Sequence, residues 1–452
     1  MDHTKQLGTA PIFRLVVKFS LPTIFAMIVN AIYNIVDRIF VGKFVGEDAL
    51  GGLTVSFPLM IIGFAVGTLF AIGGATLISI KFGEHKVEEA NAIYGNTTVL
   101  IVISGLLMTV LGEIFLAPLL RLAGATDANF SFALSYMRII IIGLVFQLSS
   151  FMMAAIVRSE GKPFLSMISQ VLSAVTNIVL DYVFIGPLGM GVEGAAIATV
   201  IGQMVGFGIL SHYYFISKKS LLKITLANLR LRWSYLRQII AIGASSFVIN
   251  LGTGISASFT NGALAVYGGD PAITSFGAIN SLFTLVLMPV LGLLQGIGPI
   301  MGYNHGMRQN TRVWKTLWTG IGLGCIFTFT LFALMEIFPE AFVSLFLDPA
   351  SPTMPVCVHG LRLQMLALPV LSFSVLSTAY FQSTAQGNKS FFISLLRQLL
   401  VIVGVLVLPY FFKLSGVWLA SPFSELLSLL VASLMLVFDR RARKQEILPI
   451  EA

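Results

Sequence analysis

Asp37 and Asp181 are carboxylates set inside apolar runs, and the residues spaced around them are oxygen donors. Asn30, Asn34 and Asp37 fall at i, i+4 and i+7, one face of a helix. Gln170, Ser173, Asn177 and Asp181 repeat the pattern on a second run, Thr199 and Gln203 stand four apart on a third, and Tyr136 lies near the start of a fourth. A charge inside a bilayer is costly and by default marks an ion or substrate path. Carboxylate, amide and hydroxyl oxygens suit either a proton or a hard cation such as Na⁺, and residue type does not choose between them. The bland reading of Asp37 is an interfacial acid beside Arg38.

The elements that must position these groups follow from composition. The 452 residues are 56% hydrophobic and 11% charged, against about a quarter charged in a soluble domain. This is an all-α polytopic membrane protein. A bilayer core takes about 20 apolar residues per helix, and the chain divides into twelve such stretches: 13–41, 51–80, 91–116, 131–157, 164–185, 192–216, 237–267, 274–303, 314–338, 357–383, 390–412 and 416–438. A polar start and no cleavage site after the first run make that run a retained helix and not a signal peptide. With both termini cytoplasmic, 22 of the 28 Lys and Arg residues fall on the inner side. That asymmetry is the positive-inside rule; it accounts for the net charge of +8 without nucleic acid, and it places the chain in a plasma membrane, the inner membrane of a prokaryote.

Shifted by about 223 residues, the chain matches itself: Lys81-Phe82-Gly83 falls on Asn304-His305-Gly306, and Glu113-Ile114-Phe115 on Glu336-Ile337-Phe338. Six helices per half is an even number, so the repeats are parallel, related by an axis along the membrane normal. The expected domains are an N-terminal bundle over 1–217, a basic linker over 218–236 and a C-terminal bundle with a basic tail over 237–452. Glycine pairs four apart, such as Gly63/Gly67 and Gly292/Gly296, let helix backbones approach. Pro22 removes a backbone hydrogen bond from the first span and bends it, as a static kink or as a hinge beneath Asp37.

Depth ties the polar groups together. At 1.5 Å per residue, Asp37, Asp181 and Tyr136 lie roughly 7 Å below the outer surface and Thr199 about 8–12 Å. Four helices of the first half therefore offer oxygens in one layer. The second half does not repeat it: Thr260 stands where Asp37 would fall. It has instead Arg397 and Glu425 at mid-membrane, read as a buried structural pair, with a second ion or drug site as the alternative. Asn250, Asn280 and Gln295, with Asn30, Asn34, Gln170, Gln203 and Glu425, are the candidates to line a substrate cleft. Cys325 and Cys357 have no metal spacing, and Walker A, HExxH and GxSxG sequences are absent, leaving no visible machinery for ATP hydrolysis or proteolysis.

Two six-helix halves, with Pro22 fifteen residues before Asp37, Asn177 four before Asp181, Thr199 eighteen after it and Tyr136 forty-five before it, resemble the multidrug and toxic compound extrusion (MATE) family. The resemblance spans essentially the whole chain. It implies a V-shaped pair of bundles and a secondary antiporter, not an enzyme, that exports organic, often cationic and aromatic, compounds in exchange for H⁺ or Na⁺ and needs no other cofactor. On that basis Asp37 and Asp181 are the coupling carboxylates, Asn177, Thr199 and Tyr136 complete their site, with Na⁺ as the one metal it could hold, and Pro22 is the bend. Some branches of the family use acids on the seventh helix and its neighbours; the run from Asn250 to Thr260 has none. The expected partners are small organic cations and the lipid bilayer, the working unit is a monomer, and the alternative reading is a flippase for a lipid-linked saccharide.

Overall fold

The computed structural model describes residues 4–217 and 219–445, with side chains to 442. Lys218, which opens the expected linker, and the end of the expected basic tail lie outside the described residues. In the N-terminal half six helices cross in turn: α1 Ile12–Phe44, α2 Glu47–Gly83, α3 Val87–Leu122, α4 Phe130–Ser159, α5 Pro163–Ile185 and α6 Gly191–Ser211. Acidic residues in the first turns of α2 and α3 face the positive ends of those helices. In the C-terminal half one continuous helical run, Trp233–Gly306, folds back at Gly269, giving α7 (233–268) and α8 (270–306). α9 is Asn310–Ile337, and the last run folds back at Lys413 to give α11 (387–412) and α12 (414–445).

Two differences from the sequence reading have local causes. The tenth span is broken: α10 consists of Met354–Met365 and Leu368–Ser383, bent by 44°. Pro369 opens the second piece, and a proline there cannot donate back into the first. α7 begins at Trp233, four residues before the expected start of the seventh span at 237.

The repeat is written in the backbone as well as in the sequence. Left-handed turn positions pair off at 223 or 224 residues apart: Gly46 with Gly269, His85 with Arg308, Gly161 with Ala385, and Gly189 with Lys413. Outer-end ion pairs recur too, Arg138 with Glu113 and Arg362 with Glu336.

Hydrogen bonds between the halves run from the end that holds the N-terminus and the linker to about the middle of the spans. Thr23 donates to the Gly292 carbonyl (2.7 Å), Ser79 to the Pro299 carbonyl (2.7 Å), and Asn250 to Thr68 Oγ1 (3.2 Å). Glycine makes this approach feasible. A Cβ at Gly83 would land on the Tyr303 carbonyl and one at Gly306 on the Ile80 carbonyl, the same contact reproduced by the repeat. Gly73 against Ile239, Gly243 against Leu69, Gly292 against Ile24 and Gly296 against Ser20 continue the seam. The outer halves of α1 and α2 and of α7 and α8 have no such ties among the described residues. The two bundles thus join at the terminal end and part toward the other, the V expected of them.

Candidate functional site

The residues singled out in the sequence lie inside the N-terminal bundle. Asp37 on α1 is 8% exposed and Asp181 on α5 is fully buried; Asn177, Thr199 and Tyr136 are buried beside them. Asn177 Nδ2 donates to Thr199 Oγ1 at 3.1 Å, joining α5 to α6. Close packing holds that pair in register: a Cβ at Gly202 would meet the Ser173 carbonyl at 2.7 Å and the Asn177 backbone and Cβ just beyond. Tyr136 lies within electrostatic reach of both carboxylates and of Tyr33.

The layer contains acceptors without donors. Asp37 Oδ1, both carboxylate oxygens of Asp181, Asn177 Oδ1 and Gln203 Oε1 are buried and have no hydrogen-bond partner among the described residues. Buried polar atoms are paired in nearly all proteins, and each exception calls for an explanation. Here the orphans are oxygens with spare lone pairs on three neighbouring helices, and no lysine or arginine reaches Asp181 or Asp37 as an ion pair within the described residues. That donor set fits a proton or a small hard cation. No group of three or more His, Cys, Asp or Glu side chains able to hold a metal occurs among the described residues, so a cation here would rely on amide and hydroxyl oxygens as well.

The remaining candidates divide by place. Asn34 and Asn280 are exposed and Asn30 partly so, with Asn34 Nδ2 bonded back to the Asn30 carbonyl at 2.7 Å. Gln170 turns toward the terminal end and bonds Ser166 through its carbonyl and hydroxyl. Asn250 and Gln295 sit on the seam between bundles, Asn250 on Thr68 and Gln295 Nε2 at 3.8 Å from Met27 Sδ. Glu425 is 3% exposed and forms an ion pair with Arg397. Pro22 lies within α1, one residue before Thr23, whose hydroxyl reaches the Phe19, Ser20 and Gly292 carbonyls. α1 is therefore tied to α8 beside its proline.

Sequence reasoning passed over Tyr33. It stands four residues before Asp37, the same spacing that linked Asn30 to Asn34, and its ring lies within electrostatic reach of both carboxylates. It also passed over Arg158, buried at the end of α4 with Nη1 on Ser166 Oγ at 2.7 Å. A polar thread thus runs from Arg158 through Ser166 to Gln170 on the face of α5 that leads to Asn177 and Asp181.

Twelve spans in two parallel bundles, with buried unpaired acids in one of them, define a multi-pass membrane transporter. The MatE family model matches residues 22–183 and 241–407, one stretch in each bundle, and the chain belongs to that family. The multidrug export protein MepA of Staphylococcus saprophyticus is 25% identical over 434 residues, covering 95% of this chain and 94% of that protein. Among solved structures, a MATE protein in the bent conformation superposes with a TM-score of 0.92 at 23% identity, over 99% of both chains. A MOP superfamily transporter from Pyrococcus furiosus, described by a reversed polarity of its binding pocket, has a TM-score of 0.92 at 24% identity, over 97% of this chain and 98% of that one.

Proposed function

We propose that the protein is a secondary active multidrug efflux antiporter that exports organic, mostly cationic, compounds in exchange for H⁺ or Na⁺ bound at Asp37 and Asp181. The observation that carries this reading is the set of buried, donorless oxygens on Asp37, Asp181 and Asn177. The likeness over nearly full length to a protein named for multidrug export supports the cargo class. The working topology has both termini in the cytoplasm of a cell with this chain in its plasma membrane, acting as a monomer; the V then opens outward.

Three parts of the chain divide the work. Asp37 and Asp181 accept the coupling ion from the outer side, with Asn177, Thr199 and Tyr136 holding its surroundings. A monovalent cation moving down the membrane potential releases about 2.3 kcal/mol per 100 mV, enough to bias a two-state cleft. α1 carries the change of occupancy: Pro22, the point at which it would bend, lies beside the Thr23 tie to α8, so movement of its outer half is felt at the seam. The cleft walls, Asn30, Asn34, Asn250, Asn280 and Gln295, receive the organic cation. Ion and cargo must each weaken the other's binding, since coupling is reciprocal. A saccharide flippase would want free basic groups in the cleft for phosphates, and Arg397, the mid-membrane arginine of the second bundle, is held by Glu425.

The test is efflux of a cationic dye from proteoliposomes with pH and Na⁺ gradients imposed separately. Asp37→Asn and Asp181→Asn proteins are expected to insert and melt like wild type while gradient-driven efflux falls to background. Full efflux in both variants would sink the shared coupling site.

A further inference from the structure

The second bundle contains a charged pair that the coupling site does not use. Arg397 on α11 forms an ion pair with Glu425 on α12; the arginine side chain is 20% exposed and the glutamate 4%. The other carboxylate oxygen, Glu425 Oε2, has no hydrogen-bond partner, and neither do the buried hydroxyls of Ser394 and Ser428. Ser394 precedes Arg397 by three residues and Ser428 follows Glu425 by three, so each shares a helix face with its charged neighbour. Ser424 Oγ donates to the Arg397 carbonyl (2.7 Å), and Ser256 of α7 donates to Gln398 Oε1 (3.2 Å), which fixes the layer to both neighbouring helices.

This layer is the counterpart of the coupling site. The shift of 225 residues that superposes Gly191 and Ala195 on Gly416 and Ala420 also places Thr199 on Ser424 and Gln203 on Ser428, and the shift of 224 set by the turns flanking α5 places Gln170 on Ser394 and Ser173 on Arg397. Each bundle thus keeps a polar interior between its fifth and sixth helices. In the first the carboxylates have no cation; in the second the carboxylate has one supplied by the chain itself.

A buried ion pair is a poor device for stability alone, since apolar side chains of the same volume do as well or better. The geometry of this one suits exchange. Glu425 is sealed, whereas the Arg397 side chain is one-fifth exposed and its guanidinium sits on a long flexible stem, so Arg397 can leave without dragging the carboxylate with it. Replacing one cation by another keeps Glu425 neutralised throughout, and its free Oε2 with the Ser394 and Ser428 hydroxyls offers acceptors to a group with several N–H donors. We propose that the α11–α12 pocket is a second cation site, for the guanidinium or primary ammonium group of a transported molecule, in which Arg397 is a tethered occupant that the incoming group displaces. The role as cargo site rests on the transport reading above; the binding does not.

Trp418, buried and two turns from Glu425 on α12, is a natural reporter. With Trp233, Trp314 and Trp318 changed to Phe, its fluorescence is followed in nanodiscs during titration with phenylguanidinium. The expected pattern is saturable binding in the parent protein, a loss of about tenfold or more in Glu425→Gln, and a gain of about tenfold in Arg397→Met, where the carboxylate is left without its own cation. Asp127→Asn, an exposed acid of the loop between α3 and α4, leaves the affinity unchanged. Equal affinity in the parent and Glu425→Gln overturns the proposal. If Arg397→Met does not fold, Arg397→Lys, a cation without the bidentate fork, is expected to bind the probe more tightly than the parent; no gain there overturns the proposal equally. The readout needs no gradient, so failure here leaves the efflux test of the coupling site intact, and the reverse also holds.

Discussion

At Asp181 both carboxylate oxygens are sealed and neither accepts a hydrogen bond of good geometry, the Asn177 amide being the donor in reach. Leaving a buried acceptor unpaired costs about 1–3 kcal/mol, and more when it is charged, so this residue is maintained against the stability of its own bundle. Asp181→Asn should relieve that cost, because the new amide nitrogen can donate to Asn177 Oδ1, which also has no partner. The variant is expected to melt at or above the wild-type temperature, with a gain of about 1 kcal/mol, while losing coupled efflux. A fall of several degrees in a detergent melt would show that Asp181 has a structural partner after all. The layer was legible in the sequence because helix spacing and depth are both countable along the chain. Asp37, Asp181, Asn177, Thr199 and Tyr136 came together on that arithmetic. Gln170 was placed on the correct face, yet it bonds toward Ser166 and away from the acids; a face gives a direction around the helix, not the neighbour that takes the bond.

Among the elements, the linker was the least legible. Composition showed a basic stretch, but its docking depends on residues far away in sequence. Glu160, just past α4, accepts bonds from Tyr213, Ser220 and the Leu222 amide. Asn91 Oδ1 receives the Lys223 amide at 2.9 Å, and Asn96 bonds the Asn228 and Arg230 carbonyls and the Arg232 amide. The described linker is therefore strapped to the N-terminal bundle up to the residue before α7. Burial pushes the Glu160 carboxyl above its ordinary value of 4.5, outweighing the hydrogen bonds from Ser220, Tyr213 and Leu222 that pull it down. An acid whose folded value is raised contributes its full stability below the unfolded value and loses it as pH rises through the folded one. Hydrogen-exchange protection of the 219–232 amides, corrected for intrinsic rates, should accordingly fall as pH is raised from about 4.5, and Glu160→Gln should flatten that dependence. An identical slope in the variant would assign the effect to another group. The break in α10 was equally invisible to hydropathy, which counts apolar residues and does not see that Pro369 can open a new helix.

For the whole molecule, the arrangement is closed at the terminal end and parted at the other, and the seam is made of backbone against backbone. Such a seam can be locked. A Cβ at Gly302 would lie 3.2 Å from Cβ of Ser79, close to the separation a disulfide requires. With Cys325 and Cys357 replaced by Ser, the pair Ser79→Cys and Gly302→Cys should cross-link on oxidation, stop dye efflux, and recover on reduction; dye binding from the open side should survive the lock. Continued efflux by fully cross-linked protein would mean that the seam need not open during transport. Two bundles, twelve spans and their parallel relation were readable from composition and the 223-residue shift, whereas the side on which the V is open was not, because both states share one sequence and differ only in which contacts are made.

The paired left-handed turns carry one more implication. Glycine holds that conformation at negligible cost, but in two of the four pairs a glycine in the first half has become Ala385 or Lys413 in the second, and in another both copies, His85 and Arg308, have a side chain. The conformation is shared even where the residue best suited to it is not. The turn geometry is therefore the more faithful record of the repeat than its chemistry: one half holds its acids without a cation, the other pairs its acid with a cation of its own.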